Sequence, residues 1–259
     1  MPFDPATVKL GKLEKKQDPR TLRLADYLAA LPSQLPKPRR TTSWARKTQH
    51  WPMLMNDAIG DCTIASTLHM QQTWRDNIGI HADYVVTDAQ ALEAYSRICG
   101  YDGTDATDFG GVEIDVLNAW RKDGIGGRKI DAFVSVDRQR HNLVKMALDW
   151  FGGIYIGIGL PESAQDQVGK VWDKTDGGVS GQPYSWGGHA VNIVGYNDKT
   201  LTCVTWGAKQ RMTWAFWDYY VDEAYAVISR GDWMNEQGAT PRGLNLDQLM
   251  SDLKLVTKI

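Results

Sequence analysis

Cysteine is scarce in this sequence, whose 259 residues include three: Cys62, Cys99 and Cys203. An odd, sparse set is unlike a disulfide framework, and it lacks the paired spacing of a zinc site. A reducing compartment fits this usage. Cys99 and Cys203 have apolar and aromatic neighbours, which indicates buried, unreactive thiols. We therefore expect no metal and no other cofactor.

Long apolar runs are also missing. No stretch approaches the roughly 18 apolar residues of a membrane span, and residues 1–5 lack the basic and apolar regions of a secretion signal. We expect no membrane partner and a cytoplasmic or virion-associated location. The formal net charge is -2 and the basic run at residues 37–40 is short, so nucleic acid is not an expected partner.

Length and texture predict a globular body with an extension. Residues 1–45 are rich in proline and basic side chains and are interpreted as a segment that straps across the body or binds a partner. The domain proper is predicted at residues 46–259. It divides into a helical lobe at about 46–130, a β-rich lobe at about 131–230 and a C-terminal tail at 231–259.

The elements predict an α+β fold of two lobes with a cleft between them. Helical periodicity is found at residues 63–77, 88–98, 112–122 and 143–151, the first helix opening at or just before Cys62. Strands are expected at residues 153–160, 190–196 and 201–206, with an aromatic-rich stretch at 212–228 that closes as another apolar strand.

Cys62 is the candidate nucleophile. A cysteine attacks as the thiolate, which the N-terminus of a helix stabilises. Gly60 permits a sharp turn before the helix, and Asp61 is a candidate N-cap whose charge would oppose the thiolate if it pointed at the sulfur. Taken alone, the same pattern also fits a buried packing residue.

His189 is the candidate general base. It follows Gly187 and Gly188 and opens an apolar strand, so a flexible loop delivers the imidazole to the end of a rigid element. His69, two turns into the helix after Cys62, is interpreted as a packing residue. The hypothesis is that Cys62 and His189 become neighbours across the cleft.

Four segments in this order resemble those of the papain-like cysteine peptidases, in the branch found in bacteria and tailed phages. The resemblance spans roughly residues 50–230 and rests on Asn56 to Ala65 around the cysteine, Phe109-Gly110-Gly111, His189 to Tyr196, and Thr205-Trp206-Gly207. It implies a papain-like two-lobe fold and a Cys-His dyad, with an oxyanion hole completed by Asn56, which stands six residues before Cys62 in place of the usual glutamine. The implied substrate-binding residues are Gly110, Gly111, Trp206 and Gly188.

The group that orients the histidine is ambiguous. Alignment on Trp206-Gly207 puts Val204 where the family has asparagine, and valine forms no such hydrogen bond. Counting forward from His189 instead favours Thr205, whose hydroxyl would reach the imidazole if the strand carries a bulge. Without a bulge, a shift of one residue turns Thr205 to the opposite face.

Three functions remain open at this point. The first is a peptidase or amidase that hydrolyses a peptide or isopeptide bond of a peptide or protein substrate. The second is a catalytically lapsed component of a larger assembly, such as a phage particle, that binds its partner through the N-terminal extension. The third keeps the dyad but performs transamidation or cleaves an amide in a cell-wall peptide.

Overall fold

The computed structural model describes residues 4–30, 36–78, 84–236, 238–245 and 247. The helices are α1 (Leu24–Ala30), α2 (Cys62–Ile78), α3 (Asp88–Cys99), α4 (Glu113–Lys122), α5 (His141–Phe151), α6 (Trp214–Tyr220) and α7 (Arg230–Trp233). The strands are β1 (Thr42–Ser43), β2 (Ala132–Ser135), β3 (Ile154–Leu160), β4 (Val171–Trp172), β5 (Gly187–Tyr196), β6 (Thr200–Thr205), β7 (Ala208–Thr213) and β8 (Val221–Ile228). Short 3-10 helices lie at Asp105–Thr107, Glu162–Gln167 and Gly178–Gly181. The α+β prediction is confirmed.

The first half of the chain is helical, and α2 lies at its centre. Every residue of α2 from Cys62 to Trp74 is buried, and the helix packs against β5 as well as α3 and α4. α3 begins with a capping box between Thr87 and Gln90 and ends at Gly100 in the left-handed conformation that favours glycine. These local signals fix the helices around the start of α2.

One mostly antiparallel sheet dominates the second half. Its strand order is β2-β8-β3-β5-β6-β7-β4, with β1 paired to β5. β3 is buried throughout and pairs with both β5 and β8, as its glycine-rich apolar sequence predicts for a central strand. The stretch at 212–228 divides into the end of β7, helix α6 and strand β8, because its aromatic part forms a seven-residue helix before the apolar strand.

The pairing of β5 with β6 contains a bulge. Asn192 pairs with Val204 and Ile193 with Cys203, but the next pair is Gly195 with Thr202, which leaves one extra residue in β5. A bulge turns the side chains beyond it relative to the partner strand. The residues at the end of β6 are therefore placed differently from a regular ladder.

Part of the N-terminal extension lies in the cleft, and residues 8–16 are called the strap below. Its backbone joins both halves, since Leu13 N–H donates to Gly111 O (3.0 Å) and Lys12 N–H donates to Gly188 O (2.9 Å). Lysines at its two ends add ion pairs, such as Lys16 with Asp115 at 2.9 Å. The strap thus belongs to the folded body.

None of the helices in the described ranges is long and apolar enough to cross a bilayer. The predicted C-terminal tail is described only at residues 231–236, 238–245 and 247, and the rest of it lies outside the described residues.

Candidate active site

Cys62 is the first residue of α2, and its side chain is fully buried. The sulfur accepts a hydrogen bond from Ala190 N–H of β5 (3.4 Å) and another from the backbone of Gly11 in the strap. Burial raises the pKa of the thiol to about 12, although both backbone donors act in the opposite direction. In this arrangement Cys62 is a neutral thiol.

His189 lies in β5, directly before the residue whose amide contacts the cysteine. Its Nε2 is 2.7 Å from Thr205 Oγ1, and its ring stacks on Trp206 at 4.6 Å between centroids and 16° between planes. Its Nδ1 is buried and has no hydrogen-bond partner within the described part of the chain. Burial lowers the pKa of the imidazole to about 3, so the ring is neutral and one nitrogen is available for a proton.

The hydrogen bond between His189 and Thr205 depends on the bulge in β5. Of the two alternatives for the orienting group, the structure brings the Thr205 hydroxyl to the imidazole. The neighbouring Val204 packs instead in a small apolar cluster with Trp51 and Val194. The hydroxyl therefore sits where it can fix the plane of the imidazole, and Trp206 covers the ring.

Asn56 lies close to the start of α2 but is tied to a neighbour. Its Nδ2 donates to Asp61 Oδ1 at 3.1 Å, and both side chains are buried. Burial raises the pKa of Asp61 well above its usual range, more than the hydrogen bond from Asn56 lowers it. A protonated Asp61 removes the negative charge that would oppose a Cys62 thiolate.

The glycines expected to bind a substrate are in contact with the strap. Gly111 N–H donates to Gly11 O (2.7 Å) and Gly111 O accepts from Leu13 N–H, forming a parallel bridge between Gly111 and Lys12. Gly110 has a φ of 87°, and an added Cβ there would lie 2.0 Å from Gly11 O. A side chain at Gly110 would thus collide with the strap, and one at Gly111 would collide with Thr63 and Cys99.

Gly11 is the point where the strap comes nearest to the start of α2. A Cβ on Gly11 would lie 1.6 Å from Gly60 O, so no other residue fits without movement of the backbone. The carbonyl of Gly11 faces Gly111 and its amide faces the Cys62 sulfur. The strap therefore presents an N–H group, and no carbonyl carbon, to the nucleophile.

An acidic pocket next to these glycines was not found from the sequence. It consists of Glu113, Asp222 and Glu223, and it holds the buried ammonium group of Lys12 at 2.9 Å from Asp222 and 3.1 Å from Glu223. Glu113 is the first residue of α4, where an acidic residue is ordinary because of the helix dipole. The signal available in sequence was the adjacent pair Asp222-Glu223 in a strand that is otherwise mostly apolar.

The described residues contain no group of three histidine, cysteine or carboxylate side chains that could hold a metal ion. The site consists of a thiol at a helix N-terminus, a neutral imidazole with one nitrogen unpartnered among the described residues, and glycine backbone that is hydrogen-bonded to the strap.

Several solved structures are similar to this chain. Xylellain, a cysteine protease from Xylella fastidiosa, is 14% identical with a TM-score of 0.63, over 86% of this chain and 97% of that one. A digestive procathepsin L2 proteinase from the larval midgut of Tenebrio molitor is 12% identical with a TM-score of 0.58, over 88% and 80%. A procathepsin B from Trypanosoma congolense is 14% identical with a TM-score of 0.57, over 87% of each chain. No family model and no curated protein matches the sequence.

Proposed function

We propose that this chain, which has the fold of the papain-like cysteine proteases, is a peptidase that uses Cys62 as nucleophile and His189 as general base. The observation that supports it best is the strap itself. An extended peptide lies across Cys62, with its backbone hydrogen-bonded to Gly111 on one side and Gly188 on the other. A groove that binds peptide backbone beside a thiol at the N-terminus of a helix suits peptide-bond hydrolysis.

The mechanism follows from the groups around the sulfur. The Cys62 thiol gives its proton to His189 Nδ1, and the thiolate adds to the substrate carbonyl carbon. The Cys62 N–H and the Asn56 amide stabilise the resulting oxyanion. The imidazolium then protonates the leaving amine, and a thioester remains on Cys62. His189 next takes a proton from water, which attacks the thioester and releases the acid.

Thr205 is a positioning residue in this scheme. Its hydroxyl oxygen, 2.7 Å from His189 Nε2, accepts the ring N–H and leaves Nδ1 unprotonated and free to act as base. A neutral hydroxyl stabilises the imidazolium less than a carboxylate would. The Cys-His pair itself therefore has to supply most of the charge stabilisation.

The strap would hold the enzyme in a latent state. Its Gly11 contacts Cys62, and the side chains of Cys62 and His189 are both fully buried, which favours their neutral forms. Because the Gly11 carbonyl is turned to Gly111, the strap is not itself positioned for attack. Removal of the strap would let water reach the pair, lower the pKa of the thiol and raise that of the imidazole.

The same burial favours a second candidate, a papain-like component of an assembly that no longer performs chemistry. In that case the strap would be a permanent part of the fold, or an arm exchanged with a partner. Thiol reactivity after displacement of the strap separates the two candidates.

Gly11→Ala is the sharpest way to displace the strap in the full chain, because its Cβ would overlap Gly60 O. We expect iodoacetamide to label Cys62 in this variant near neutral pH, and peptide hydrolysis to appear and be lost again in Gly11→Ala/Cys62→Ala. Gly231→Ala is the matched control, since a Cβ there meets nothing within 4 Å. A released Cys62 that reacts no faster than the thiol of the denatured chain would contradict the proposal.

A further inference from the structure

The acidic pocket brings three carboxyl groups together, two of them buried. Glu113 is fully buried, and the Glu223 side chain is 2% exposed. Neither carboxylate oxygen of Glu113 has a hydrogen-bond partner among the residues described. Glu223 accepts a hydrogen bond from Tyr225, and Asp222 is 25% exposed. Burial raises the pKa of Glu113 and of Glu223, so a nearby cation is needed to favour their charged forms.

Lys12 supplies that charge. Its side chain is fully buried, and among the described residues it is the one cation within 4.0 Å of the Asp222 or Glu223 carboxylates. Tyr184 adds a hydroxyl 3.4 Å from the ammonium nitrogen. Burial alone would lower the pKa of Lys12, but Glu113, Glu223 and Asp222 outweigh it and raise the pKa. The pocket therefore binds a charged lysine side chain.

The shape of the pocket also fits a long basic side chain. The stem of Lys12 passes over Gly157 of β3, where an added Cβ would lie 2.0 Å from Lys12 Cε. Glycine at 157 thus leaves room for the stem of a long side chain.

The pocket has a defined position relative to the nucleophile. Lys12 forms a β-bridge with Gly111, and its N–H donates to Gly188 O. The preceding residue, Gly11, contacts the Cys62 sulfur through its backbone. In the strap direction the sulfur meets an amide. A peptide in the opposite direction exchanges N–H and C=O groups, so the residue at the Gly11 position would present its carbonyl carbon to the sulfur.

We propose that the acidic pocket selects a lysine or arginine side chain in the substrate, at the residue immediately before the one whose carbonyl Cys62 attacks. The inference rests on the proposed peptidase function and names its substrate class. Lys12 then acts as a mimic of the substrate side chain. The strap competes for the groove with basic peptides, and it does so in the reverse direction.

The test uses the full chain with Gly11→Ala and four fluorogenic peptides of the form acyl-X-Gly-amide, where X is lysine, arginine, norleucine or glutamate. Norleucine matches the stem of lysine without its charge. We expect kcat/KM for lysine and arginine to exceed that for norleucine roughly 10- to 100-fold, with glutamate slowest. Asp222→Asn/Glu223→Gln should bring the ratio of lysine to norleucine close to one. Asp176→Asn, a fully exposed carboxylate elsewhere, should leave the ratio unchanged.

Hydrolysis of all four peptides at similar rates would overturn the proposed selectivity and leave the peptidase function intact. No hydrolysis of any peptide would contradict the peptidase function, and the pocket is then tested by binding. Fluorescein-labelled lysine and norleucine peptides are titrated with Gly11→Ala/Cys62→Ala and followed by anisotropy. Binding that is at least about tenfold tighter for lysine supports the pocket, and equal binding overturns it.

A second variant makes the test independent of the Gly11→Ala substitution. Lys12→Ser empties the pocket and retains Gly11, so it avoids the overlap with Gly60. The same peptides and the same two measurements apply to it. The proposal is supported only if kcat/KM or binding affinity is higher for the lysine and arginine peptides than for the norleucine peptide.

Discussion

The strap contacts two groups of ionisable side chains, one at Cys62 and one in the acidic pocket, and the two groups differ in charge. At Cys62 and His189 burial shifts both pKa values toward the neutral forms, to about 12 for the thiol and about 3 for the imidazole. In the acidic pocket the same segment brings in its own cation, and Lys12 stays charged. At Cys62 and His189 the side chains are neutral because they are buried. In the acidic pocket the charges are paired.

Under the proposed function, the acidic pocket holds the strap and the reactivity of Cys62 is controlled by it. Pairing of Lys12 with buried carboxylates contributes affinity. Covering Cys62 contributes control of reactivity, because a thiol without water or a charged partner does not ionise. Predictions can therefore be directed at each end separately.

The largest effect is expected at the reactive end. In the wild type the rate of Cys62 alkylation should rise about tenfold per pH unit up to a thiol pKa of about 12. In Gly11→Ala the inflection should move down by several units, so that labelling near pH 7 is faster by a factor on the order of 1000. Mass spectrometry of the labelled peptides separates Cys62 from Cys99 and Cys203. Equal pH profiles for the two proteins would show that the strap does not control the thiol.

The next effect concerns the acidic pocket. Lys12→Met removes the cation and leaves the carboxylates buried, so the free energy of unfolding should fall by about 3–5 kcal/mol. Lys12→Arg keeps the charge and should lower the free energy of unfolding much less. Urea unfolding at neutral pH measures both. An unchanged midpoint for Lys12→Met would show that the pairing does not hold the strap.

A smaller effect is expected at the residue that orients the histidine. In the Gly11→Ala background, Thr205→Val removes the acceptor of the His189 N–H and should lower kcat roughly 10- to 100-fold with little change in KM. Thr205→Asn should retain more activity than Thr205→Val.

Val204→Asn tests the alternative alignment in the same background. Because Val204 packs with Trp51 and Val194 on another face, an asparagine there should not rescue Thr205→Val and should destabilise the apolar cluster. Rescue by Val204→Asn would show that the bulge between β5 and β6 is absent in solution.

The smallest effect is a change in the pH dependence of stability from His69. Its Nε2 bonds Pro52 O at 2.9 Å, and burial lowers its pKa from 6.5 to about 4. Its contribution is complete above pH 6.5 and is lost as the pH falls toward 4, because the unfolded chain binds the proton first. Between these values His69→Gln should reduce the slope of unfolding free energy by about 1.4 kcal/mol per pH unit.

The sequence predicted the parts of the site that depend on local pattern. Gly60 followed by a run with helical spacing predicts that a helix begins at Cys62, and the apolar run after His189 predicts the strand β5. The sequence left two positions for the group that orients His189, Val204 and Thr205, because a bulge in the strand shifts the register by one residue. Choosing between them required the ladder itself, since one residue of register decides which side chain faces the imidazole.

The acidic pocket and the strap contacts could not be predicted in this way. Lys12 meets Asp222 across 210 positions of sequence, and Glu113 comes from a different lobe from both. Each residue has an ordinary local explanation. Lys12 is a basic residue in an extension, Glu113 is a carboxylate at the start of a helix, and Asp222 is a polar residue in a mostly apolar strand. Only the tertiary fold brings them to one point.

The close approach of Gly11 to Gly60 has a consequence for how the cleft can open. Moving the strap along the groove by one position would push Leu10 or Lys12 against the Gly60 carbonyl and take the ammonium out of its pocket. Gradual sliding is thereby blocked in both directions. We expect the N-terminal segment to leave as a unit, so that the molecule switches between a closed and an open form with no populated intermediate.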